Sequence, residues 1–226
     1  MNGAEITVSG GSIVAVLIGL GLALATIALG AWIAIKMYRG YRRSGDRPTF
    51  YLAIGIGLAS AAHTTVRVLL STLDVSLLLV NVVATAVQFA GLIFVLYAVY
   101  GDPARGVLRV TGGAAFGGAF LLTAPLLIVE LTNIERLIVV SLSNGVTAVL
   151  GGFIAVQAYR GYHRYDQRPM LLLALGIGLL TVGSFTVLNL PAPALTAASR
   201  IGLTLAVEFA GLLSIAVSLR GNRTTD

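Results

Sequence analysis

Apolar residues in this chain fall into long runs, with polar residues gathered in the short stretches between them. The runs lie at about 12–37, 50–71, 75–100, 108–129, 136–159, 170–190 and 195–219. An α-helix needs about 20 mostly apolar residues to cross a bilayer. The pattern therefore predicts an all-α, polytopic membrane protein of seven transmembrane helices. Pro48 and Pro169 stand where helices two and six begin, a position helices tolerate because their first N–H groups have no internal partner. No linker or low-complexity tract interrupts the pattern, so 1–226 reads as a single membrane domain. Glu5 and the length of the first run argue against a signal peptide.

Composition agrees with the runs. Of 226 residues, 57% are hydrophobic and only 11% charged, against roughly a quarter charged in soluble domains. The 27 glycines suit close helix packing in lipid. The absence of cysteine excludes disulfides, thiolate metal sites and a cysteine nucleophile.

Basic residues are distributed unevenly along the connectors. Lys36, Arg39, Arg42, Arg43, Arg47, Arg105, Arg109, Arg160, Arg164, Arg168, Arg220 and Arg223 fall on one side, whereas Arg136 stands on the other beside Glu5, Asp74, Glu130 and Glu135. Basic loops stay cytoplasmic, which predicts the N-terminus outside and the C-terminus inside. All eight tyrosines (38, 41, 51, 97, 100, 159, 162 and 165) fall at the same basic ends, as one half of an interfacial aromatic belt.

The chain also resembles itself. Ala34 to Leu58 reads AIKMYRGYRRSGDRPTFYLAIGIGL and Ala155 to Leu179 reads AVQAYRGYHRYDQRPMLLLALGIGL, with 14 of 25 positions identical at an offset of 121. Val87–Leu92 (VQFAGL) and Val207–Leu212 (VEFAGL) match at an offset of 120. Apolar bias alone does not produce YRGY-x-R-x-x-x-RP twice. Repeat one is read over 12–100, a linker helix over 108–129 and repeat two over 136–219. One helix in between makes both copies cross in the same direction, a parallel 3+1+3 arrangement about an axis along the membrane normal.

The YRGYRR…RP–apolar pattern resembles a family of uncharacterised small membrane proteins from halophilic archaea, and the likeness would cover nearly the whole chain. The 3+1+3 architecture is similar to that of SWEET sugar transporters, and seven helices with the N-terminus outside are similar to microbial rhodopsins. These are likenesses of fold. No Pro-Gln motif of the SWEET type is present, and helix seven has no lysine for a retinal Schiff base.

Ionisable groups at bilayer depth cost about 2.5–3.5 kcal/mol on insertion scales and mark candidate sites. Glu208 is such a group on helix seven, and Gln88 on helix three is its equivalent in the repeat. They are either a central binding pair or packing glue joined by a hydrogen bond. Asn81 on helix three joins the candidates. On helix two, Ser60, His63, Thr64, Arg67 and Ser71 recur at helical spacing, one polar stripe faced by Arg200 of helix seven. It reads either as a vestibule that attracts anions or passes protons, or as Arg67 and Arg200 snorkelling to the interface while His63 satisfies a neighbour. Snorkelling is the favoured expectation for the two arginines, and His63 is balanced between the two.

Gly112, Gly113, Gly117 and Gly118 give helix four a small-residue face, open to homo-oligomer formation. Gly55-x-Gly57 and Gly176-x-Gly178 lie inside helices and read as packing sites. The inner arginines are expected against anionic lipid head groups, and the pI of about 10.1 follows from topology and not from a nucleic-acid partner. No catalytic triad, paired catalytic carboxylates, metal cluster or cofactor motif is present, so no enzyme is expected. The reading these residues favour is a plasma-membrane carrier for a small solute, proton-coupled through Glu208, with its central site at helices three and seven. The alternatives are a sensory or partner-regulating seven-helix module without retinal, and an oligomerising scaffold. A polar cavity closed at one end would favour the carrier, an enclosed apolar pocket the sensor and a dry seam the scaffold.

Overall fold

The computed structural model describes residues 13–73, 75–100, 111–120, 136–190 and 197–220. These form seven helices: α1 (Ile13–Ser44), α2 (Arg47–Ser71), α3 (Leu77–Tyr100), α4 (111–120), α5 (Arg136–Tyr165), α6 (Arg168–Leu188) and α7 (Ala197–Ser218). All but α4 are long and apolar enough to cross a membrane. The ends expected for helix four, 108–110 and 121–129, lie outside the described residues, as do Glu5, Asp74, Arg105, Arg109, Glu130, Glu135 and Arg223.

Local chemistry sets the helix ends at the arginine-rich turns. Gly45 takes φ +70° and its N–H donates to the Tyr41 carbonyl at 2.7 Å, closing α1. Asp46 then caps α2, its carboxylate accepting from the Thr49 N–H at 3.3 Å and hydroxyl at 2.6 Å, with Pro48 in the first turn. The second turn is built alike. Asp166 takes φ 50°, its N–H donates to Tyr162 at 2.7 Å, and Pro169 opens α6.

Six helices pack in the circular order α1, α2, α3, α5, α6, α7 and back to α1. Their outward faces are apolar, with Leu17, Leu24, Ile35, Leu79 and Val149 exposed, while Ser60, His63, Thr85, Gln88, Ser143, Thr181 and Glu208 are buried. A water-soluble fold does the reverse; polar groups inward and apolar groups outward are consistent with a multi-pass membrane protein.

Two close crossings hold this circuit together. A Cβ on Gly55 would lie 2.8 Å from the Gly91 carbonyl oxygen, and one on Gly176 2.7 Å from the Gly211 oxygen. The backbones of α2 and α3, and of α6 and α7, thus touch directly, an approach only glycine permits. Gly30 likewise admits Ser60 against α1, and Gly151 admits Thr181 against α5. At the crossings α2 and α6 each carry a π-helical segment, Gly57–Ala62 and Leu179–Gly183, whose Ala59 and Leu180 pack against Gly91 and Gly211.

The half of the bundle nearest the basic turns is apolar. Ile33 (α1), Ile56 (α2), Leu92 and Leu96 (α3), Ile154 (α5), Ile177 (α6), and Leu212 and Ile215 (α7) form one buried cluster. Around its rim Tyr51 meets Tyr97 edge-on at 4.6 Å and Tyr41 lies 4.9 Å from Phe50. The Lys36 ammonium reaches the Leu219 carbonyl at 3.5 Å, tying α1 to the end of α7. On α4, Gly118 packs against Phe89 of α3, whereas Gly112, Gly113 and Gly117 face open space. Beside α4, a lateral hollow of about 1090 Å³ is lined by apolar side chains including Leu142, Val149 and Phe153.

The crossings make a stability prediction. Gly91→Ala and Gly211→Ala force a Cβ onto backbone atoms of the neighbouring helix. Each should cost about 1–3 kcal/mol of overpacking, exceeding the ~1 kcal/mol that alanine gains over glycine within a helix. Gly112→Ala meets nothing within 4 Å and should be neutral or slightly stabilising. Thermal unfolding in detergent checks all three.

Candidate functional site

Above the apolar cluster, away from the basic turns, the bundle encloses a polar cavity of about 30 Å³. Five helices supply its walls: His63 and Arg67 from α2, Asn81 and Gln88 from α3, Asn144 and Thr147 from α5, Thr181 and Ser184 from α6, and Thr204 and Glu208 from α7. A water needs roughly 10–15 Å³ of such space, so the cavity fits one or two water-sized guests. Glu208 and Gln88 each lie eleven residues from the first residue of their helix, about 16 Å along the axis. Both are buried, 5% and 6% exposed.

The hydrogen bonds decide what the walls offer. Four hydroxyls donate to carbonyls of their own helices: Thr147 to Asn144 at 2.8 Å, Thr181 to Ile177 at 2.8 Å, Ser184 to Leu180 at 2.8 Å and Thr204 to Arg200 at 2.8 Å. With their protons committed, these oxygens present lone pairs to a guest. Thr85 donates to Asn144 Oδ1 at 3.1 Å, joining α3 to α5 and leaving the Asn144 amide N–H groups as donors. Asn81 Nδ2 is buried without a hydrogen-bond partner, as is the Thr64 hydroxyl. The cavity thus combines a carboxylate and hydroxyl acceptors with amide and guanidinium donors.

His63 bridges α2 and α3, its Nδ1 lying 2.8 Å from the Ala84 carbonyl oxygen. Arg67, one turn further along the same face, is half-buried and acts electrostatically on both His63 and Glu208.

The structure thus brings Glu208, Gln88, His63, Arg67 and Asn81 around one cavity. Arg67 lines the cavity on the same helix face as His63 and is half-buried. Arg200 is not part of the wall; its carbonyl accepts the Thr204 hydroxyl, which leaves it one turn nearer the far end of α7. Of the stripe expected on α2, Ser60, His63 and Thr64 are buried, whereas Ser71 is exposed and donates to the Val68 carbonyl. Sequence reasoning missed Asn144, Thr147 and Thr204. All three are uncharged, and a search keyed to charge passes over them. Asn144, an amide inside the apolar run of α5, was the available signal.

Six span-capable helices with polar groups inward and apolar groups outward are consistent with an integral membrane protein of the multi-pass helical class. A family of unknown function, DUF7521, matches residues 10–100 and 137–220, most of the chain; the chain belongs to that family. No curated protein and no solved structure matches it.

The charges in the cavity yield a second prediction. Removing either Arg67 or Glu208 leaves the other charge without its counterpart, and such a loss is strongly destabilising for a fully buried pair. Half-exposure of Arg67 reduces the effect. Arg67→Met should therefore destabilise the protein more in the wild-type background than in Glu208→Gln, with a coupling of about 0.5–3 kcal/mol from unfolding of the four variants. Strict additivity would show that the two charges do not sense each other.

Proposed function

We propose that the chain is a proton-coupled carrier for a small solute, with its central site in the cavity between α3 and α7. One observation carries this reading. A polar cavity holding a buried carboxylate lies over a continuous apolar floor, which is the arrangement of a site accessible from one end at a time. A dry scaffold has no need of a buried glutamate and an unpaired asparagine amide, each expensive at bilayer depth. Size narrows the state. Small-molecule sites run to about 300–1,000 Å³, so 30 Å³ admits a proton, a water or an ion, and a larger solute requires the bundle to open. The apolar hollow beside α4 favours the second reading, a sensory module that holds an apolar ligand, but it lacks the ionisable groups that distinguish the cavity.

In this proposal the bundle is a duplicated three-helix unit. The glycine crossings Gly55–Gly91 and Gly176–Gly211, the contacts Gly30–Ser60 and Gly151–Thr181, and the two π-helical segments recur at the offset of the sequence repeat. The family's two matched stretches, 10–100 and 137–220, leave α4 between them. The arginine-rich turns face the cytoplasm, so the cavity opens in the outer half. Rocking of one unit against the other about the central site would expose it alternately.

Transport is tested in proteoliposomes that enclose a pH-sensitive dye, challenged with a panel of small solutes. Wild type should couple uptake of at least one solute class to proton movement. Glu208→Gln should lose the proton movement while still folding, with a lower unfolding temperature than wild type. Solute-independent proton behaviour across the panel would remove the carrier reading.

Orientation has a separate test, made simple by the absence of native cysteine. Both Ser44 and Ser71 are exposed at opposite ends of the bundle. In intact cells an impermeant thiol reagent should label Ser71→Cys and spare Ser44→Cys. The opposite pattern inverts the topology.

A further inference from the structure

His63 has a fixed tautomer. A backbone carbonyl only accepts hydrogen bonds, so the ring nitrogen lying 2.8 Å from the Ala84 oxygen must carry the proton. Neutral His63 therefore keeps a bare Nε2 lone pair, and the residue lines the cavity. Depth orders the titratable groups. His63 lies eight residues from Ser71, the end of α2, about 12 Å along the axis, against about 16 Å for Glu208 on α7. A proton coming from that end reaches the imidazole a turn before the carboxylate. The groups facing His63 are few: Arg67 on its own helix and Glu208 on α7 are charged, while α3, α5 and α6 present amides and hydroxyls among the described residues. Below Glu208 the floor is apolar, built from Leu92, Ile177 and Leu212.

We propose that His63 and Glu208 are the two stations of a proton relay bridged by cavity water, with His63 receiving the proton first. Nε2 accepts a proton from water at the end of the bundle opposite the basic turns, and the resulting imidazolium stays held to Ala84 through Nδ1–H. Nε2 then returns a proton to a water in the cavity, that water passes one of its own protons to the Glu208 carboxylate, and the ring is neutral again. Arg67 remains positive throughout and repels a second positive charge on the ring, so the proton is handed on to the carboxylate. One or two waters fit the 30 Å³ that both stations line. The relay draws its purpose from the carrier reading, but its operation is measurable without any solute.

The test follows the protonated-carboxyl infrared band of the full-length protein in nanodiscs after a rapid drop in pH. Glu208→Gln identifies the band. His63→Asn keeps a donor for the Ala84 carbonyl and cannot relay. It should slow the rise of the band by at least about tenfold, since a positioned proton-transfer group contributes about 10²–10⁴ in rate, while leaving the final amplitude unchanged. In His63→Ala, imidazole added to the medium should restore the rate, which a merely structural role would not allow. A wild-type rate in His63→Asn, no rescue by imidazole in His63→Ala, or a band that persists in Glu208→Gln overturns the relay. Slowed, imidazole-rescued kinetics in a protein that moves no solute would remove the carrier and leave the relay standing. Solute-coupled transport with wild-type kinetics in His63→Asn would do the opposite.

Discussion

Direct contact between helix backbones at Gly55–Gly91 and Gly176–Gly211 is the constraint on which the bundle depends. Helices in lipid gain little from burying apolar surface against one another, because the acyl chains are equally apolar. Association has to come from close packing, and close packing requires an absent side chain. The two crossings seat α2 on α3 and α6 on α7 with the Cβ space filled by carbonyl oxygens. The π-helical segments take part in these contacts, Ala59 against Gly91 and Leu180 against Gly211, and the polar cavity is lined by residues at and beyond them, Thr181 and Glu208 among them.

The cavity is polar at small cost because its hydroxyls are satisfied locally. Each of the four donates to a carbonyl on its own helix, so ordering them requires no partner across the bundle. Among the groups near the cavity, the Asn81 amide nitrogen and the Thr64 hydroxyl are buried without a hydrogen-bond partner. A site built this way can exchange its guest without unmaking its walls.

In the proposed duplication the two halves differ in contents. Gln88 and Glu208 occupy equivalent places, as do Ser60 and Thr181, yet His63 is answered by Ser184 and Arg67 by Leu188. Neither His63 nor Arg67 therefore has an ionisable counterpart on α6. Such asymmetry is what a single polarised pathway requires; a strictly symmetric bundle would offer the same chemistry twice.

Much was legible in the chain. Long apolar runs imposed helices, because nothing else satisfies the backbone at bilayer depth, and the proline and glycine punctuation marked their ends. Glu208, Gln88, His63, Arg67 and Asn81 stood out as polar residues in apolar runs. The lumen side of α2 was harder to assign. A π-helical segment directly before His63 adds a residue to the turn and shifts everything beyond it by about 100° relative to a regular helix. Regular helical spacing put Arg67 on one stripe with His63 and left open whether it lines a vestibule or snorkels to the interface. Thr147 and Thr204 were invisible for a different reason: a hydroxyl that bonds its own helix fits an apolar run at little cost, and only its neighbours make it part of a site. The sequence by itself determined the helices and the kinds of polar group they carry. Which of those groups meet, and around what volume, was decided by crossings between segments more than thirty residues apart, a distance over which no local pattern carries information.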